Sequence, residues 1–385
     1  MWWAEENKPL KLLLLTPPAK TCYEIITHNV TYKNLLKPLS LAYGGILSLR
    51  NALYDYRFVT TYIPTQRCIA VGNLTVGGTG KTPAVEYLLR HLLTLDQQLT
   101  GRIATLSRGY GRKTHGFRIA TAADTADTIG DEPLQLVRNF SPTVCITVGE
   151  RRADALRQLA IDRPDVQTVV LDDAYQHRAV QPHLNLLLTD YNRPFYTDDP
   201  FPGGRLRERR QGARRAQAII VTKCPHDPSP AERATIKAAI RRYTNPKQGV
   251  ADPPILFTGL AYDQPRRFAD QKPTPIDGPV RLVTGLANAE PLVRYVTDTW
   301  GLAKHDDFGD HHAYTRDEVV RLLEQTHPAT WLLTTQKDEV KLAALLTDTE
   351  KLSRRIAYLP VSMTFFREDD AHTVARLVGE CLKNR

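Results

Sequence analysis

The chain has 385 residues, a formal net charge of +9 and a pI of about 9.2, with 42% hydrophobic and 24% charged residues. This is the composition of a soluble globular protein long enough for two cores, and it excludes a low-complexity or disordered chain. Five scattered cysteines without a C-x-x-C pair give no zinc signal, and no stretch reaches the ~20 apolar residues that span a bilayer. The positive charge suits an anionic partner (nucleotide, nucleic acid or acidic lipid) without choosing among them.

Residues 1–31 read as irregular, because Pro17-Pro18 breaks any helix. Glu5 and Glu6 ahead of the short Leu12–Leu15 run make a poor signal peptide. Pro38 can open a helix to about residue 57. Leu39, Ala42, Tyr43, Ile46, Leu49 and Leu53 share one face, and Ser40, Ser48, Asn51 and Asp55 the other. Such a helix either packs its apolar face on its own domain or lays it in a membrane interface, with Lys37, Arg50 and Arg57 at the head groups.

The β-rich run 67–71 leads into Val71-Gly72-Asn73-Leu74-Thr75-Val76-Gly77-Gly78-Thr79-Gly80-Lys81-Thr82-Pro83, and residues 83–93 are helical in pattern. Strand, glycine loop and helix are the context of a P-loop. Glycines at 77, 78 and 80 let backbone N–H groups turn towards phosphate. Thr75, Val76 and Thr79 complete the cradle, Lys81 brings a charge to the β/γ-phosphates, and Thr82 brings a hydroxyl for Mg²⁺. Thr75 stands where the common G-x-x-x-x-G-K-T pattern has glycine.

A strand at 102–106 then ends in Ser107-Arg108-Gly109-Tyr110-Gly111-Arg112, a turn suited to phosphate or simply an exposed basic loop. Gly130-Asp131-Glu132-Pro133 opens a helix at 134–139. Its acids either complement the helix dipole or supply a base and a metal-shell carboxylate. A strand at 143–148 and a helix at 151–160 follow. The buried run 166–173 ends in Asp172-Asp173, the Walker B pattern of a strand beside the P-loop strand. Ala174-Tyr175-Gln176-His177-Arg178 should line the same cleft, or His177 be a satisfied polar residue below it. After a strand at 183–189, residues 203–215 carry six arginines against one glutamate, Glu208. Such a run is either a solvated surface or a contact with an anionic substrate or membrane. A strand at 216–222 ends in Lys223-Cys224-Pro225, without the N-K-x-D pattern that reads guanine.

A helix at 230–243 and a strand at 255–260 precede a Pro/Asp/Lys-rich connection, 261–279, where the domain boundary is expected. The expected units are an extension, 1–33, a P-loop domain, 34–260, and a smaller α/β domain, 261–385. The second has strands at 280–283, about 304–307, 330–334 and 355–361, helices at 289–300, 315–325 and 339–345, and a closing helix at 369–382. Asp310-His311 lies in the loop before its second helix, as a candidate proton acceptor or as polar residues around a cap at Thr315.

With these pieces assembled, the chain resembles the tetraacyldisaccharide 4′-kinase family of Gram-negative bacteria. The Val-Gly-Asn-Leu-Thr-Val-Gly-Gly-Thr-Gly-Lys-Thr-Pro run and the Asp-Asp-x-aromatic-Gln-His-Arg run carry the likeness, with Gly130–Pro133, Asp310-His311 and the 334–341 stretch. Thr75 is what that family shows. Ala174 replaces a frequent glycine, and 201–210 is more arginine-rich than usual. The resemblance implies a P-loop α/β/α fold with a second α/β domain on a short two-stranded linker, hinged over the nucleotide. It implies ATP- and Mg²⁺-dependent phosphorylation of an acylated glucosamine disaccharide 1-phosphate at an anionic membrane surface, with no nucleic-acid partner. It also implies Asp131 with His311 as the proton acceptor, and Lys81, Thr82, Glu132, Asp172 and Asp173 as the phosphate and Mg²⁺ set. Arg108, Gln176, His177, Arg205, Arg207 and Glu208 are the implied substrate contacts.

Overall fold

The computed structural model describes residues 22–95, 100–244, 252–310 and 312–383, with side chains from residue 36. Among the described residues the chain forms a nine-stranded sheet and a five-stranded sheet, each covered by helices. The large sheet runs, edge to edge, Val361–Phe365, Ile255–Tyr262, Ala218–Thr222, Leu184–Asp190, Arg67–Asn73, Thr168–Asp172, Ile103–Ser107, Cys145–Val148 and Arg118–Ile119. Its interior pairs are parallel and both edge strands are antiparallel. The interior strands read as continuous apolar runs because helices bury both faces. Their shared direction puts the ends of Arg67–Asn73, Thr168–Asp172 and Ala218–Thr222 along one rim, where ligands of open α/β sheets bind.

The helix Lys81–Leu95 shows how the loop is held. Pro83 occupies the first turn, where its missing N–H costs nothing. Ala84, Val85, Leu88, Leu89 and Leu92 fall on one face and are buried against the sheet. Each leucine contributes about 1.5–3 kcal/mol of burial, so the loop hangs from a rigid strand and a rigid helix.

The small sheet runs Leu302–Asp307, Val280–Thr284, Trp331–Thr335, Ile356–Leu359 and Arg266–Arg267. The chain leaves the large sheet after Tyr262 and returns through Val361, and these two residues are paired. The run read as one strand, 355–361, is therefore two strands in different sheets. Pro360 separates them, because it offers no N–H to continue a ladder. The last segment is likewise not part of the second unit: Val374, Val378 and Cys381 of the helix Glu368–Lys383 pack with Ile69 and Leu186 in the first core.

The first helix differs most from expectation. It spans Cys22–Asp55, so residues 22–31 are not irregular, and Pro38 lies inside it. Proline marks a start only where a helix gains by one; an interior proline removes one backbone bond, and the helix runs through. Its orientation is also informative. Ser40 is buried and accepts from the Gly203 amide at 2.8 Å, Asn51 donates to Glu208 at 2.8 Å, and Asp55 pairs with Arg178 and Arg214. The polar face is docked. Leu39, Leu41, Ile46 and Leu49 stand 58–69% exposed.

Candidate active site

Gly77 and Gly80 carry φ of 110° and 78°, conformations closed to most side chains. They turn the loop so that Lys81 begins the helix at the sheet rim. Thr75 is not at a glycine position here: it forms a β-bridge with Leu206, which suits a β-branched residue. Asn73 fixes the loop from below, its Nδ2 donating to Thr79 Oγ1 at 2.7 Å. Val76 remains half exposed, and its amide donates to Arg205 O at 2.8 Å. The arginine-rich segment is thus laid along the P-loop.

Asp172 ends the adjacent strand, Thr168–Asp172, and Asp173 follows it in the turn. Asp173 has φ of 48°, a strained conformation for a non-glycine residue and a frequent mark of a functional position. Arg207 Nη1 donates to both of its oxygens at 2.8–2.9 Å, and Lys81 Nζ lies 3.7 Å away. Burial alone would raise the Asp173 carboxyl, but the charges of Lys81 and Arg207 hold it below its ordinary range. Asp172 is the opposite case. Its burial, with Glu132 and Asp173 as like-charged neighbours, pushes its carboxyl up, and its Oδ1 is buried without a partner. Beneath it Arg152 donates to the Asp172 and Gly149 carbonyls. Glu132 comes in from the next helix, accepting from Thr82 Oγ1 at 3.5 Å.

That helix, Asp131–Phe140, starts at Gly130, whose φ is 92°. A Cβ there would meet Tyr110 O at 2.8 Å, so two backbones cross too closely for any other residue. This crossing aims Asp131 at the cleft between the sheets. Lys341 Nζ of the second unit lies 3.0 Å from Asp131 Oδ2 and donates to His312 O at 3.1 Å. The two units also meet through Arg138 with Glu339, and through Gln336 donating to Asn139 at 3.0 Å. Lys337 pairs with Asp310 at 3.1 Å. His311 lies outside the described residues.

The remaining residues read as substrate contacts divide. Arg108 and Arg205 are exposed. His177 is half-buried; burial and the nearby Arg152 push its pKa down to about 4, so at neutral pH it is a neutral hydrogen-bonding group. Gln176 Nε2 donates to Asn73 O at 2.8 Å and to Glu208 at 3.0 Å. Glu208 departs from the reading. It is buried, and its oxygens accept from Asn51, Gln176 and twice from Arg215. A carboxylate so engaged ties the first helix to the arginine segment and is not open to a ligand.

The family model described as tetraacyldisaccharide-1-P 4′-kinase matches residues 32–379. The chain belongs to the tetraacyldisaccharide-1-P 4′-kinase family. A tetraacyldisaccharide 4′-kinase of Cytophaga hutchinsonii is 39% identical over 342 residues, covering 87% of this chain and 92% of that protein. One from Bacteroides thetaiotaomicron is 33% identical, covering 93% and 95%. Among solved structures, LpxK from Aquifex aeolicus in complex with ATP matches with a TM-score of 0.68 and 25% identity, covering 91% of this chain and 99% of that one.

For a member of this kinase family, the residues read from the sequence as the phosphate and metal set lie together: Lys81, Thr82, Glu132, Asp172 and Asp173 meet at one rim. Two residues of this cleft escaped sequence reasoning. Lys341 looks like any solvated lysine on a helix, and Arg152 like any arginine of a helix start. The burial of Arg152, only 2% exposed, is a tertiary fact with no local signal.

Proposed function

We propose that this chain is a kinase that transfers the γ-phosphoryl group of ATP to the 4′-hydroxyl of a tetraacylated glucosamine disaccharide 1-phosphate, giving lipid IV-A. One observation carries the reading: Asp131 stands beside a completed P-loop and Walker B set, and is gripped from the second unit by Lys341. A switch ATPase needs the first half of that arrangement and has no use for the second.

Phosphoryl transfer asks for positioning and charge neutralisation. The P-loop amides and Lys81 hold the β/γ-phosphates. Arg207 orients Asp173 and adds positive charge at the rim. Thr82, Glu132, Asp172 and Asp173 would hold Mg²⁺; hard oxygen donors and the orphaned Asp172 Oδ1 fit that ion, which would supply neutralisation of phosphate charge. Asp131 takes the proton of the acceptor hydroxyl, with His311 as its partner from the second unit. Closure of the second unit over bound nucleotide completes this pair and excludes water.

An acylated acceptor resides in a bilayer, and the exposed face of the first helix fits a peripheral position on the cytoplasmic side of the inner membrane. No described helix is long and apolar enough to cross a membrane. Leu39, Leu41, Ile46 and Leu49 would enter the acyl boundary, with Phe201 beside them and Lys37 and Arg50 at the anionic head groups. Deleting the helix would strip Asn51 from Glu208, so substitution is the cleaner test. Changing Leu41, Ile46 and Leu49 to Ser should weaken binding to phosphatidylglycerol vesicles at least about tenfold, since each buried side chain carries more than ~1 kcal/mol. Vesicle binding unchanged in the triple variant would remove this helix from the membrane contact.

ATP turnover measured with and without the acylated disaccharide tests the whole reading. Stimulation by the lipid with formation of a phosphorylated lipid is the expected result. Stimulation by a partner protein alone, with no lipid product, would instead mark a nucleotide-driven assembly factor.

A further inference from the structure

P-loop amides can face phosphate only if the carbonyls of the same peptides face away, and a carbonyl turned from the loop needs its own donor. Gly80 O meets this need inside the helix, accepting from the Ala84 amide at 3.2 Å. Gly78 O and Thr79 O lie too early in the chain for a helical partner. Both find donors on one neighbouring strand end. Thr222 Oγ1 donates to Thr79 O at 2.8 Å, and Lys223 Nζ donates to Gly78 O.

Lys223 is placed for this with some care. Its φ is 58°, the left-handed region that a lysine rarely adopts. Asp190 Oδ2, at the end of the next strand, pairs with its ammonium at 3.1 Å. Asp190 is itself held, its Oδ1 accepting from the Asn192 amide at 2.9 Å. The strand ends Leu184–Asp190 and Ala218–Thr222 therefore form an outer brace opposite the Walker B side. Among the described residues, Thr222, Lys223 and Asp190 form no ion pair with the carboxylates or arginines described above.

We propose that Lys223 and Thr222 are positioning residues that set the affinity for the polyphosphate of the nucleotide, by holding two successive P-loop carbonyls outward. The lysine adds a positive charge behind the loop, and a charged donor holds a carbonyl more strongly than a neutral one. The proposal rests on the reading of the loop as an ATP site and gives a specific reason for the Thr-Lys ending of this strand. It also separates polyphosphate recognition from recognition of the base, since neither contact reaches beyond the loop.

The test uses the full chain with Lys223→Met, measuring equilibrium binding of Mg-ATP and competition by inorganic tripolyphosphate, which has neither base nor ribose. Loss of one charged hydrogen bond should weaken both about tenfold, while kcat at saturating ATP falls less than about threefold. Lys223→Arg should recover most of the affinity. Asp190→Asn, which frees the ammonium without removing it, should weaken both ligands in the same ratio and serves if the Met variant does not fold. Unchanged ATP affinity in Lys223→Met would overturn the proposal, as would weakened ATP with unchanged tripolyphosphate, which would place Lys223 on the base or sugar. A loss confined to kcat would overturn it too. Failure of the unsubstituted protein to bind ATP would instead overturn the ATP-site reading itself.

Discussion

Lys81→Ala should lower kcat at least about 10³-fold, the scale on which a preorganised charge at a transferring phosphoryl group acts. No other residue of the loop carries a charge, and Lys81 sits at its last turn, 3.7 Å from Asp173 Oδ1. Arg207 is committed to Asp173 through both oxygens and so does not substitute. Lys81→Arg should rescue little, because a planar guanidinium does not fit a cradle shaped for a point charge. Steady-state phosphorylation of the lipid acceptor reads this directly. Turnover within tenfold of the unsubstituted protein would remove the phosphate role from Lys81.

The second large effect concerns the proton. Asp131→Asn keeps the shape of the side chain and removes its basicity, so kcat should fall by roughly 10²–10⁴-fold with the KM for ATP much less affected. His311→Ala should fall in the same range. The two would act as one unit, so the double variant should be little worse than the poorer single one. Lys341 bears on the same point. It lies within 3.0 Å of Asp131 and holds the His312 carbonyl, the residue that follows His311 in the chain. Multiplicative losses in the double variant would separate His311 from the proton path, and an effect of His311→Ala on KM for ATP alone would make it a nucleotide contact.

The rim of the large sheet was legible in the sequence because its chemistry is local. Glycines at 77, 78 and 80 before Lys-Thr, and two acids closing a buried apolar run, need neighbours only a few residues away. The strands and helices of both units were legible for the same reason, as continuous apolar runs and 3.6-residue spacing. What was not legible depends on partners far along the chain. The first helix has a good apolar face, and pattern logic buries such a face. Here the polar face is docked instead, because the arginine-rich turn offers it Arg214 and the Gly203 amide, and the run after the Walker B strand offers Arg178. Glu208 sits in a basic run that invites a cleft role, yet Asn51, Gln176 and Arg215 close around it. Arg355 to Val361 reads as one strand because each half has β character, and only the topology shows that Pro360 sends the chain back to the first sheet. Lys341 and Lys223 were given no role since a lone lysine carries no pattern. Each matters through a single atom in another element.

The most direct measurement is the structure of the lipid product. The protein is incubated with Mg-ATP and tetraacyldisaccharide 1-phosphate, and the lipid is examined by mass spectrometry and ³¹P NMR. The account predicts one added phosphomonoester on the 4′-oxygen of the distal glucosamine, and none with Lys81→Ala. Hydrolysis of ATP with the lipid recovered unchanged, or phosphate on any other oxygen, would contradict it.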